Sequence, residues 1–211
     1  MSKFSGSMAL RMIRRRRVVA VGFLFLFFCI LLPSPSRAGA PTEQVRATVD
    51  KVLAIVRNPN MKTEAQKEDL QARSAEVIYP RFDFTEMAKR SLGPHWGRRT
   101  AEEQREFVKI FAALLGRTYT DRIESYTSQT ILYTREIEDK EYAEVDTKII
   151  TDKREELSIN YKLHSVDKEW KVYDLVIEDI SVVNNYRSQF DRVIARSSFE
   201  ELVRVMKGKQ S

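Results

Sequence analysis

Residues 170–190 read WKVYDLVIEDISVVNNYRSQF, and the change of period inside this stretch decides the fold. From Trp170 to Ile177 apolar side chains fall on both parities of a strand. Strict alternation puts Trp170, Val172 and Val176 on one face and Tyr173, Leu175 and Ile177 on the other. A strand of that kind is either central and covered twice, or covered once and turned toward a cavity. Past Ser181, a good helix N-cap, Val182, Tyr186, Phe190 and Ile194 recur at i, i+4, i+8 and i+12. The polar run Asn184-Asn185 and Arg187 then belongs to the solvent side of that helix. A strand thus feeds directly into an amphipathic helix.

Upstream of this junction the period is two. Segments 129–137, 141–151, 155–166 and 170–179 are separated by short polar turns such as Asp139-Lys140 and Asp167-Lys168. Connections so short favour an antiparallel meander. Before residue 126 the period is helical. Residues 43–57, EQVRATVDKVLAIVR, carry Val45, Val49, Val52, Leu53 and Val56 on one side and stop at Asn58-Pro59-Asn60. A polar-rich helix is expected over 63–78, a short one over 84–92, and a long one over 101–126. Thr100 and Glu103 form a capping box for the long helix. Its stripe is Phe107, Phe111, Leu114, Leu115, Tyr119, Ile123 and Tyr126, widened by Val108 and Ile110. A last helix is expected over 198–207. The fold class is α+β: a four-stranded antiparallel β-meander packed against N-terminal and C-terminal helices.

The first 40 residues stand apart. Arg14 to Arg17 precede fifteen uncharged, mostly apolar residues, Val18 to Leu32, and a small-residue site at Ala38-Gly39-Ala40. That pattern is a secretory signal peptide cleaved after Ala40, and fifteen residues fall short of the ~20 that span a bilayer. Cys29, inside the apolar run behind Phe27 and Phe28, lacks the small neighbours of a lipoprotein signal. The expected mature domain is 41–211, divided into helical 43–126, a meander over 129–179 and C-terminal helices over 181–208. The net charge of +6 belongs to the leader, which holds seven basic residues and no acidic one. The remainder carries 29 basic against 30 acidic residues, so its charge gives no support for nucleic-acid binding. With two distant histidines, His95 and His164, and no cysteine after residue 40, a metal centre is not expected.

Two blocks together, LGPHWGRRTAEEQREFVKIFAALLGRTYTDRIESY over 92–126 and the 170–190 stretch, resemble the MlaC, or toluene-tolerance, family of periplasmic phospholipid carriers. The resemblance runs from about Thr42 to Met206. Asp179 departs from it, standing where a glycine is expected in the turn. The resemblance implies a periplasmic shuttle with phospholipid as its cargo and no cofactor. Its partners would be an outer-membrane lipoprotein complex and an inner-membrane ABC transporter complex with a substrate-binding-domain subunit, and its role the maintenance of outer-membrane lipid asymmetry. A hopanoid-associated branch would carry a different lipid.

It also implies an apolar pocket between sheet and helices. Burying about thirty methylenes at ~0.8 kcal/mol each is worth on the order of 20 kcal/mol, so such a pocket must imitate hydrocarbon. The positions available to line it are Phe111, Leu115 and Tyr119 on the long helix, and Val183 and Tyr186 on the helix after Ser181. On the strands they are Ile131, Tyr133, Val145, Ile149, Leu157, Ile159, Tyr161, Val172 and Val176. Arg187 is the candidate for a lipid phosphate at the mouth.

Other charged residues are expected to be structural: Arg98 and Arg99 as a loop pair, His95 in its Gly-Pro turn, and His164 exposed on its strand. Asp174, on an apolar strand, is expected to find a tyrosine or arginine partner. Two other classes remain open. A cone-shaped isomerase or dehydratase would recruit Asp174 with Tyr161 or Tyr173 as acid and base. The sequence holds no nucleophile elbow, HExxH or phosphate loop to complete such an enzyme. The other class is an envelope interaction module with a filled core.

Overall fold

The computed structural model describes residues 40–57, 64–124 and 129–208. The expected signal peptide therefore lies outside the described residues except for Ala40, the first residue of α1. Four helices come first: α1 (Ala40–Val56), α2 (Glu64–Ile78), α3 (Phe84–Leu92) and α4 (Ala101–Glu124). Strands β1 (Thr130–Asp139), β2 (Tyr142–Ile150), β3 (Glu156–Val166) and β4 (Glu169–Ile177) follow, then α5 (Val182–Arg196) and α6 (Phe199–Gly208). A two-residue strand, β5 (Ile180–Ser181), adds a fifth member to the expected four, and the sheet order is β1-β2-β3-β4-β5, antiparallel throughout.

Local chemistry fixes the helix ends. The Thr100 amide donates to Glu103 Oε2 at 2.7 Å and the Glu103 amide to Thr100 Oγ1 at 3.2 Å, a closed capping box. Hydrogen bonds to the carboxylate from the Thr100 amide first, and then from its side chain, hold the Glu103 carboxyl below its ordinary range. Asp83 caps α3 by accepting from the Glu86 amide, and Ser181 caps α5 by accepting from the Asn184 amide. The 24 residues of α4 make a rod of roughly 36 Å. Ile123 and Tyr126, the far end of its expected stripe, lie outside the described side chains.

Two bulges shape the sheet. Tyr133 pairs with Thr147 but Arg135 with Asp146, so Thr134 is an extra residue in β1. Leu163 pairs with Val172 but Lys162 with Asp174, so Tyr173 is an extra residue in β4. An extra residue bends its strand and sharpens the local twist. It also resets alternation. Beyond Tyr173 the face that carries Val172 is continued by Leu175 and Ile177, which face Tyr161 and Ile159 on β3. Strict alternation therefore misassigns the second half of β4: Val176 lies on the opposite face, beside Asn160.

Two larger cores result. The helical core gathers Phe107, Phe111, Phe190 and Phe199 from α4, α5 and α6, with ring centroids 5.6–5.9 Å apart. The second packs Val45 of α1 on Val145, Leu163, Trp170 and Val172 of the sheet.

Candidate functional site

Between these cores the described residues leave two apolar chambers. The first, of about 180 Å³, lies between α1 and the sheet. Val45, Val49, Val52 and Leu53 form its helical wall, and Ile131, Ile149, Leu157, Ile159 and Tyr161 its floor across β1 to β3. Val172, Leu175 and Ile177 complete the floor on β4. Arg81 is its one charged lining residue. Its guanidinium donates to Gln44 Oε1 and to the Trp170 carbonyl, each at 2.6 Å, and to Thr48 Oγ1 at 3.3 Å. Gln44 Oε1 also accepts from the Trp170 amide. That polar clamp seats α1 on β4 at the edge of the chamber.

The second chamber, of about 440 Å³, lies among α2, α3 and α4. Leu70, Ala75, Phe84, Met87 and Leu115 contribute apolar wall, with Ser74, Gln71 and Arg117 as polar contributions. Ile78, Phe82, Tyr119 and Leu175 line both chambers, so four side chains are the partition between them. Together the two volumes fall within the roughly 300–1,000 Å³ of small-molecule sites.

The structure brings together eight of the fifteen residues named from sequence. Tyr119, Ile131, Ile149, Leu157, Ile159, Tyr161 and Val172 line the first chamber, and Leu115, with Tyr119 again, the second. The other seven do not line either chamber. Phe111 and Val183 are buried in the helical core, and Tyr186 packs at its margin with its ring centroid 5.3 Å from that of Phe111. Val145 is buried in the second core. Tyr133 lies under the Arg46 guanidinium, its hydroxyl buried without a hydrogen-bond partner among the described residues. Val176 is on the far face, because of the Tyr173 bulge. Arg187 lines a separate polar cleft beside Lys162 and Asn184.

The lining residues missed from sequence include the α1 wall, Ile78 and Phe82, the pair Leu175 and Ile177, and most of the second chamber, such as Leu70, Phe84 and Met87. The α1 stripe was visible as a helical face, with nothing to distinguish lining from packing. Leu175 and Ile177 were hidden by the bulge.

Polar side chains near the site have structural duties. Asp174 is buried, and accepts from Ser181 Oγ at 2.6 Å and from the Val183 amide at 3.0 Å. Its partner is a helix N-terminus, in place of the expected tyrosine or arginine. His164 is not exposed as expected: its Nε2 lies 3.1 Å from Asp83 Oδ2 and its ring packs on Tyr173. His95 pairs with Asp191 at 2.9 Å. Arg99 sits over the Phe199 ring, between Glu103 and Glu200, joining α4 to α6. Of the acid and base pairs of an enzymatic reading, Asp174 and Tyr161 are split across the sheet, whereas Tyr173 lines the same polar cleft as Asp174. Tyr161 lines the chamber and Asp174 caps α5 from the opposite face. Burial, and to a lesser degree Tyr133, raise the Tyr161 phenol above its ordinary value, which suits a neutral wall residue.

Helices closing an apolar, two-chambered hollow against a bulged antiparallel sheet define a protein built to enclose an apolar ligand. The chain belongs to the MlaC family, whose model, described as "MlaC protein", matches residues 46–208. It is similar to the intermembrane phospholipid transport system binding protein MlaC of Haemophilus influenzae. The two are 20% identical over 177 residues, which cover 82% of this chain and 83% of that one. Its structure is similar to that of a phospholipid-binding protein from Ralstonia solanacearum solved in complex with a phospholipid. That match has a TM-score of 0.71 and 26% identity, and covers 80% of this chain and 95% of the other.

Proposed function

We propose that this protein is a phospholipid carrier that holds acyl chains in the two chambers and leaves the head group outside. The observation that carries the reading is the partition: two hydrocarbon-like chambers share only Ile78, Phe82, Tyr119 and Leu175. Rotation of those side chains would join the chambers or let two chains enter side by side. Methylenes buried there gain ~0.8 kcal/mol each over water, while a bilayer offers the same. With few polar contacts on the walls, loading and release are close to balanced. That is what a shuttle needs.

The family membership and the phospholipid complex of the Ralstonia protein support this reading. In the fuller form, residues 1–40 export the chain to the periplasm. The domain over 41–211 there exchanges phospholipid between an outer-membrane lipoprotein complex and an inner-membrane ABC transporter through its substrate-binding-domain subunit, and so maintains outer-membrane lipid asymmetry. The test is transfer of labelled phospholipid between donor and acceptor vesicles. Transfer must scale with protein concentration, and Phe82→Asp, which puts a charge into the partition, must abolish it. Unchanged transfer by Phe82→Asp would refute the reading.

A further inference from the structure

On the other side of the β3–β4 pair the surface is of opposite character. Lys162 and Asp174 are register partners there, whereas their neighbours Tyr161 and Leu175 face the apolar chamber. They line a polar cleft of about 380 Å³ between α3, the loop after it and the start of α5. Four cations reach it: Lys89, Arg90, Lys162 and Arg187. Lys89 and Arg90 are both answered by Glu86, at 3.4 and 2.8 Å. Lys162 and Arg187 have no ion pair with any described residue. The one carboxylate in the lining, Asp174, hydrogen-bonds Ser181 Oγ and the Val183 amide and forms no ion pair with Lys162 or Arg187 among the described residues; Glu144, the register partner of Lys162 on β2, stands outside the lining.

The cleft is shaped around Arg187. A Cβ on Gly93 would stand 2.9 Å from Arg187 Nε, so glycine here lets the guanidinium lie against the backbone. Gly93 also holds φ at 52°, a conformation that glycine adopts without penalty. Across the cleft a Cβ on Gly97 would meet nothing within 4 Å, so the floor there is open. Asn184 and Tyr173 also line it, with the Arg90 guanidinium 4.2 Å from the centre of the Tyr173 ring. The first-turn amides of Val183 and Asn184 are already taken by Asp174 and Ser181, so recognition must come from side chains.

We propose that this cleft binds a phosphate group, with Arg187 and Lys162 supplying the charge and Asn184 and Tyr173 further hydrogen bonds. A planar guanidinium fork beside an ammonium suits a tetrahedral oxyanion better than a carboxylate, and a volume of this size admits a phosphate with its ester substituent. Because the cleft is on the sheet face opposite the chambers, it is not the place where an enclosed lipid's own head group emerges. The proposal is therefore independent of the cargo. The phosphate is either free in solution or carried by lipid head groups at a membrane surface on which the protein docks.

The test titrates the full chain with inorganic phosphate by calorimetry, and measures flotation with phosphatidylglycerol vesicles. Saturable binding must weaken at least tenfold in Arg187→Gln and in Lys162→Gln. Lys109→Gln, an exposed lysine on α4, must leave it unchanged. Flotation competed by inorganic phosphate assigns the site to head groups; phosphate binding without flotation assigns it to the free anion. Binding that survives the paired Arg187→Gln and Lys162→Gln substitutions overturns the proposal. Wild-type protein gives an answer that needs no variant to fold: saturating phosphate must move the backbone amide resonances of Gly97 and Asn184, and unmoved resonances overturn it. Lipid content per chain stays the same in every variant, so failure here is distinct from failure of the carrier reading.

Discussion

Asp174 shows how a single carboxylate can govern a junction. It is 5% exposed and satisfies two donors, Ser181 Oγ and the Val183 amide, where β4 hands over to α5. Replacing it with alanine strands a buried amide and removes a charge-assisted cap. Asp174→Ala should therefore cost about 2–4 kcal/mol in urea unfolding, and Asp174→Asn about half that, since its amide oxygen still accepts. Tyr133 makes a second residue-scale prediction. Burial pushes its phenol up from 10.0 to about 12, with Asp50 adding to the shift and Arg46 opposing it. A phenol whose folded value is raised contributes stability that is complete below the unfolded value. It is lost as pH climbs through the folded one. Melting temperature should fall between pH about 10 and 12, and Tyr133→Phe should flatten that fall. Phenolate absorbance during the same titration locates the Tyr133 step.

At the scale of elements, turns and bulges do most of the shaping. Glu178 and Asp179 hold φ at 47° and 62°, and Asp167 and Lys168 at 51° and 67°, a left-handed pair in each hairpin. The glycine that the family resemblance implies at 179 would adopt that φ without penalty. Asp179→Gly and Lys168→Gly should each raise stability by about 0.5 kcal/mol, read as melting temperature; a fall in both would contradict the turn assignment. The element order, the meander, the capping box and the Ser181 cap were all legible, because period and cap chemistry are local. The inward face of β4 was half legible. No glycine or proline marks Tyr173, so alternation counted through it carries Val176 inward and Leu175 and Ile177 outward. Phe111 and Tyr186 were chosen as lining for the same reason that they are core: an apolar helical stripe has one sequence signature for both. The separation is made by the aromatic contacts of Phe111 with Tyr186 and Phe190, which join residues far apart in the chain.

At the scale of the molecule, the packed aromatic core of α4, α5 and α6 gives rigidity, and the hollow is enclosed by α1 to α4 and strands β1 to β4. Leu175, on both sides of the partition, is where that division can be probed. Leu175→Trp should fill the junction and reduce bound lipid severalfold while leaving the helical core folded, which circular dichroism and lipid phosphorus per chain together measure. Native mass spectrometry of the purified full chain, with lipid analysis of its organic extract, asks most directly whether the hollow is occupied. We expect a mass above that of the polypeptide by one phospholipid, lost on extraction and absent from Phe82→Asp. A bare polypeptide mass, unchanged after incubation with phospholipid vesicles, would contradict it.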